Sequence, residues 1–266
     1  PPAVAAPPQE PSPPPRTDCF ALDTWTPWAP GFDVRTFETR QKSIVGDSRV
    51  VVVRLDPARW QLELHADAVE GTSRLTGQAL AARHDLVAVT NAGMFAMDLS
   101  THVGSMRVDG VEVGEVSGAY QSLAEFGVGQ DPPFRLRDRD GAVAAGAYPN
   151  QLQNLRLVKH PGVNRWKPQP RQWSEAALGE DAQGRPLLIF SRSPHSMHQL
   201  NEELLAADIG LVAAQHLEGG PEATLFVELG GCRLDGFGSY ETGFYESDGN
   251  EAAWGLPNVI GVRLVR

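Results

Sequence analysis

Residues 217–227 read LEGGPEATLFV, and the fold turns on how this stretch is read. Glu218 and Glu222 flank a Gly219–Gly220–Pro221 turn. An apolar run from Ile209 to Ala214 leads in, and Leu225, Phe226 and Val227 lead out. Two glycines let the backbone turn sharply and approach a ligand closely. The pattern predicts a strand, a tight turn and a second strand, with a carboxylate delivered to the strand end, where rigid scaffolds keep their chemistry. The other functional segments are expected to converge on Glu218.

Working outward, short strands dominate. Residues 48–55 (SRVVVVRL) form an apolar strand, and residues 60–66 (WQLELHA) alternate with the period of a half-buried one. Residues 76–84 suit a short helix with Leu80 and Ala81 inward. Residues 86–90 form a strand that runs into NAGMF at 91–95. Asp109–Gly110 marks a hairpin turn. Residues 123–128, 134–136 and 153–158 are further strands, and residues 173–179 and 186–190 make a hairpin across a turn at 181–184. Ser196 with Gln199 is a helix-opening capping box, followed by Leu200, Leu204 and Leu205 on one face. A hairpin across Gly230–Gly231 and a closing strand at 259–265 complete the chain. The predicted class is α+β: a mixed, mostly antiparallel sheet core with a few packed helices.

The 266 residues suffice for one substantial domain or two. Residues 1–16 are rich in Pro and Ala and read as a tether, with a transition to residue 31; residues 32–266 read as the domain proper. A net charge of −10 argues against nucleic acid as the default partner. No run has the length of a membrane-spanning helix. The proline-rich start is what a removed leader leaves behind, so an exported location (periplasmic, cell-surface or secreted) is expected, with tethering through the arm; the cytoplasm stays open. Cys19 and Cys232 are compatible with a disulfide or with two separate thiols.

Several residues are candidates for chemistry. Asn91, at a strand end beside Gly93, can donate to and accept from a substrate oxygen; its plain alternative is a turn residue bonding its own backbone. Arg192 and Ser193 lie between a buried-looking strand and a helix start, which suits phosphate; the alternative is an arginine paired with a structural carboxylate. His195 and His198 could transfer a proton, bind phosphate or metal, or be structural. Glu218 and Glu222 could act as paired acid and base or join a divalent cation. Glu175, in an otherwise apolar strand, is a further acid that needs a partner such as Arg156 or Arg192. Trp173, Trp254, Tyr240 and Phe244 are candidates to stack on a sugar, or core residues.

NAGMF (91–95), HVG (102–104), QNLRLV (153–158), AALG (176–179), LEGGPEATLFV and PNVIGV (257–262) occur in an order that resembles the phosphodiester glycosidase domain family. The resemblance runs from about residue 32 to the end. RSPHSMH (192–198) and GSYETGF (238–244) resemble a bacterial branch. The family commonly has Leu-Asp-Gly-Gly-Gly-Ser at the key loop; here Glu218 stands for Asp, Pro221 for the third Gly and Glu222 for Ser. The resemblance implies an α+β domain and hydrolysis of a sugar-1-phosphodiester or related glycosidic bond. Glu218 would be base or nucleophile, Arg192 the phosphate clamp with Arg156, and Asn91 the group orienting a substrate oxygen. His195 or His198 would move a proton, while Gly93, Ser193, Gly219, Gly220, Glu175 and Glu222 would line the substrate. The altered loop also motivates a non-catalytic exported module that binds glycan or cell-wall polymer.

Overall fold

The computed structural model describes residues 18–71, 73–96, 98, 101–139 and 148–265; the expected tether at 1–16 lies outside them. Three sheets organise the chain. The largest has eight strands, with Trp173–Asp181 near its centre between Pro186–His195 and Leu211–Gly219. A five-stranded sheet holds Thr224–Leu229, Ala88–Asn91, Asn258–Leu264 and, at its edge, Trp60–Ala66. A second five-stranded sheet contains Asn150–Asn154 and Ser122–Phe126.

Alternation along the strands builds the layers. Leu188 and Phe190 point into a core shared with Leu62, Leu64, Leu225, Val227 and Ile260 of the facing sheet. Leu187 and Ile189 point the other way, onto Leu200 and Leu204 of the helix Met197–Ala206. On the far side, Phe226 and Val259 pack against Leu80 and Ala81 of the helix Gly77–His84. The result is a helix–sheet–sheet–helix stack whose inner layer is apolar from both sides. Ser196 caps one helix by accepting from the Gln199 amide, as the capping pattern predicted, and Thr76 caps the other by accepting from the Ala79 amide.

The molecule is predominantly β, with short helices, compatible with α+β. The pairings between strands are antiparallel; the parallel component expected of a mixed sheet is confined, among the described residues, to the isolated bridge of Leu22 with Thr36. The single strand expected at 153–158 is two strands in different sheets: the chain leaves one at Asn154 and enters the other at Arg156. Periodicity could not show this switch, because Asn154 folds its own side-chain oxygen onto the Leu155 amide at the break.

Cys19 and Cys232 form a disulfide across 213 residues of sequence. The segment before residue 32 is part of the sheet system: Thr26–Ala29 is its edge strand, and Trp28 is 3% exposed.

Candidate active site

The register between Trp173–Asp181 and Leu211–Gly219 slips at Ala176/Ala177, leaving Leu217 as the extra residue. Such a bulge re-aims the side chain that follows it. Glu218 lies opposite Ala176, a residue of the inner core, and so faces inward at the end of the strand. The chain then turns through the 3-10 segment Gly220–Glu222 into the next strand. Gly220 has φ of +65°, and a Cβ there would sit 2.8 Å from Glu241 Oε2 and 3.5 Å from Glu222 Oε2. Two further carboxylates therefore flank the turn, and glycine is required on both counts.

Burial decides the protonation of this cluster. Glu218 is half-buried and accepts from the Gly219 amide at 3.0 Å. Loss of solvation pushes its carboxyl up to about 8; His216 and the Gly219 amide oppose that, while Glu222 and Glu175 add to it. Glu222 is pushed up to about 7, again mainly by burial, with Glu241 adding repulsion. Tyr120 is raised by burial and by the nearby Glu218. Beneath, Glu175 Oε1 meets His216 Nδ1 at 2.6 Å and Glu175 Oε2 accepts from Trp173 Nε1 at 2.7 Å. Burial disfavours the His216 cation, but Glu175, with Glu218 and Glu241 behind it, raises the imidazole overall.

The motif segments support the turn from below. Asn91 donates through Nδ2 to the Glu222 carbonyl at 2.9 Å and accepts the Thr224 amide at 2.7 Å. Its side chain is thus a fastener of the turn, which corrects the expectation that it orients a substrate oxygen. Gly93, with φ of +83°, lies against His102 and Asn154; a Cβ would sit 2.5 Å from His102 Cε1. Asn154 in turn donates to the Leu217 carbonyl at 3.4 Å. His102 is 3% exposed, and burial lowers its pKa to about 4, so the ring is neutral.

The other sequence candidates lie elsewhere or are already engaged. Arg192 is a strand residue rather than a loop residue, because Pro186–His195 runs further than its apolar part. Its guanidinium bonds Asp248 Oδ1 and the carbonyls of Phe237, Asp248 and Asn250, all within 3.0 Å. This arrangement clasps the loop that carries Glu241 and contradicts a free phosphate clamp. Arg156 pairs with Asp138 at 3.0 Å. Glu175 has a histidine, not an arginine, as its ionic partner. His195 is buried between the Ser193 carbonyl and Thr39 Oγ1, and burial lowers its pKa. Ser193 Oγ holds the Ser48 amide, and His198 Nδ1 meets the Trp166 carbonyl at 2.7 Å. Both histidines and Ser193 therefore serve the junction around the helix Met197–Ala206. Among the described residues, Glu218 and Glu222 gather no third donor close enough to form a metal group.

A cavity of about 300 Å³ opens beside the turn, lined by Glu222, Arg74, Phe95, Trp254 and Gly255. Arg74 is exposed, and its guanidinium forms no ion pair with a described residue. Trp254 and Phe244 stand edge to face at 6.5 Å and are partly exposed. The Glu222 carboxyl thus shares the cavity with the Arg74 guanidinium and the aromatic side chains of Phe95 and Trp254, a combination suited to a sugar bearing negative charge. Sequence reasoning missed Arg74, Glu241, His216 and Tyr120. Glu241 was visible inside GFGSYETGF, but nothing in its spacing marked it. A second cavity, of about 110 Å³ between Trp60, Pro133 and Phe134, has no ionisable side chain in its lining.

The family model for phosphodiester glycosidase matches residues 84–263, more than half of the chain. The chain belongs to that family. The fold is similar to the catalytic domain of zebrafish N-acetylglucosamine-1-phosphodiester alpha-N-acetylglucosaminidase, described as auto-inhibited by its pro-peptide: TM-score 0.63 at 15% identity, covering 88% of this chain and 84% of that one. It is also similar to a hypothetical protein from Synechocystis (TM-score 0.50, 15% identity, 88% and 64% covered) and to a protein from Burkholderia pseudomallei (0.51, 13%, 82% and 74%). No curated protein sequence matches this chain.

Proposed function

We propose that the protein hydrolyses a sugar-1-phosphodiester or a closely related glycosidic bond at the Glu218–Glu222 turn. The observation that carries this reading is a cavity lined by Glu222 and Arg74, whose guanidinium forms no ion pair with a described residue, with Glu218 at the other end of the same turn; burial pushes the two carboxyls up to about 7 and about 8. A phosphodiester anion approaching several ionised carboxylates would be repelled. Near neutral pH the raised pair retains a proton, and Glu175 is compensated by His216, so the wall tolerates an anion. Glu222 loses its proton first and serves as base or nucleophile toward the anomeric carbon. Glu218 keeps its proton longer and donates it to the departing phosphate oxygen. Arg74 holds the phosphate in place of Arg192, and Trp254 and Phe95 cover the sugar.

The test is hydrolysis of a nitrophenyl-type sugar phosphodiester by wild type and Glu218→Gln. Loss of general acid help costs about 10²–10⁴ in rate; equal rates would remove Glu218 from the mechanism. The departures at Glu218, Pro221 and Glu222 favour, as second reading, a module that binds glycan without turnover. Saturable binding of a sugar phosphate with no hydrolysis over hours would select it. The disulfide supports action outside a reducing cytoplasm; retention of two free thiols in protein isolated from its native source would oppose that.

A further inference from the structure

A separate cluster lies on the outer face of the smaller helix-covered sheet. His65 stands on the edge strand Trp60–Ala66, Glu70 ends the short helix Asp67–Glu70, and His84 is the last residue of Gly77–His84. Three elements thus converge on one point. One donor atom from each residue lies within 4.8 Å of the other two. Glu70 faces both rings: Oε1 is 2.7 Å from His65 Nδ1, and Oε2 is 3.3 Å from His84 Nε2. The imidazole rings lie close together and tilted, with centroids 4.0 Å apart and planes 32° apart. Nε2 of each histidine is buried and makes no well-aligned hydrogen bond, with carboxylate oxygens of Glu63 and Glu70 at 3.4 and 3.3 Å. Two adjacent imidazoles sharing one carboxylate place two nitrogen donors and an oxygen donor around one point, the donor set of a transition-metal site.

We infer that His65, Glu70 and His84 form a binding site for a divalent transition-metal ion of the zinc class. Two imidazoles and a carboxylate select such an ion over magnesium or calcium, which demand oxygen shells. Bonds of about 2.0–2.2 Å in a tetrahedron put ligand atoms roughly 3.4 Å apart, so binding draws the three donors, now within 4.8 Å of one another, together and turns the two rings toward the ion. Glu63 supplies the outer carboxylate: its Oε2 is 3.4 Å from His65 Nε2, and its Oε1 is held by Arg263 at 3.1 Å and by Gln61 at 2.7 Å. With His65 binding metal through Nδ1, Nε2–H points at a fixed acceptor, the usual support for a ligating histidine. The metal ties together the two helices that bracket residues 71–76, the segment carrying Arg74 to the cavity. That consequence rests on the reading of Arg74 given above; the metal site does not.

Untagged full-length protein, stripped with a chelator, is titrated with Zn²⁺ by calorimetry and with Co²⁺ by visible absorption. One equivalent binds per chain, and Co²⁺ gives the absorption bands of a low-coordinate nitrogen–oxygen site. His84→Gln, whose fold is checked by circular dichroism, and His65→Gln weaken binding at least a hundredfold. Glu63→Gln weakens it about 10–100-fold, and His198→Gln leaves it unchanged. No saturable binding at one equivalent by wild type overturns the inference, as does undiminished binding by folded His84→Gln. Both results are read without substrate, so failure of the proposed hydrolysis leaves them intact.

Discussion

Glu218 sits where its charged form is penalised, and the penalty can be read in two ways. In activity, Glu222 must be ionised and Glu218 protonated, so the pH–rate profile is a narrow bell. It rises through about 7 and falls through about 8. Glu218→Gln removes the falling limb as well as most of the rate, which a profile of the residual activity checks. In stability, an acid whose folded pKa is raised from 4.5 contributes fully below 4.5 and loses that contribution as pH rises to about 8. Glu218→Gln therefore melts higher than wild type at pH 8 and no differently at pH 4, as thermal unfolding at the two pH values will show. The neighbouring His216 has the same sign. Its raised pKa means that the pairing with Glu175 stabilises below the ordinary value of 6.5 and fades as pH rises through the folded value. Glu175→Gln leaves a buried imidazole without its counter-charge and costs about 3–5 kcal/mol, measurable by urea unfolding at pH 6. The gap narrows as pH rises through the folded value, where the ring loses its proton.

At the scale of the element, Arg192 shows how a sound residue argument fails when the element is longer than it looks. The apolar pattern ends at Phe190, but the strand continues to His195 by pairing with Trp173–Asp181. The guanidinium consequently reaches sideways to the 237–250 loop instead of toward a ligand. Arg192→Ala should raise hydrogen exchange across that loop and lower kcat through the freed Glu241. Arg74→Ala should leave exchange there unchanged and raise KM for a phosphodiester about 10–100-fold, the value of a charge-assisted contact. Reversal of the two phenotypes would restore Arg192 as the clamp. Other elements were legible because their signals are local. The hairpin turns at Asp109–Gly110 and Gly230–Gly231 need the positive φ they have, and the Ser196–Gln199 cap is a short-range bond.

At the scale of the whole molecule, the bond between Cys19 and Cys232 fastens the start of the described chain to the strand Cys232–Phe237. Closing a loop with a sequence separation of 213 residues restricts the unfolded chain by about 5 kcal/mol on the chain-entropy account. Replacing both cysteines by serine should lower Tm by roughly 10–20 °C for a chain of this size; a shift of only a degree or two would place the stabilisation in native contacts of the edge strand instead.

The sequence by itself determined the short-range features: strand periods, glycine turns, helix caps and the family order of NAGMF, QNLRLV and LEGGPEATLFV. It also marked Glu218 as the acid at a strand end, because a carboxylate, two glycines and flanking apolar runs lie within a few residues of one another. Only the tertiary structure decided the rest. The bulge at Leu217 aims Glu218 inward, Asn91 is consumed in holding the turn, Arg74 rather than Arg192 faces the cavity, and Glu241 joins from a loop far along the chain. Hydrogen-bond partners and desolvation depend on what packs alongside, and residues distant in sequence supply both. Charge state and side-chain availability are therefore properties of the assembled sheets, not of any segment read alone.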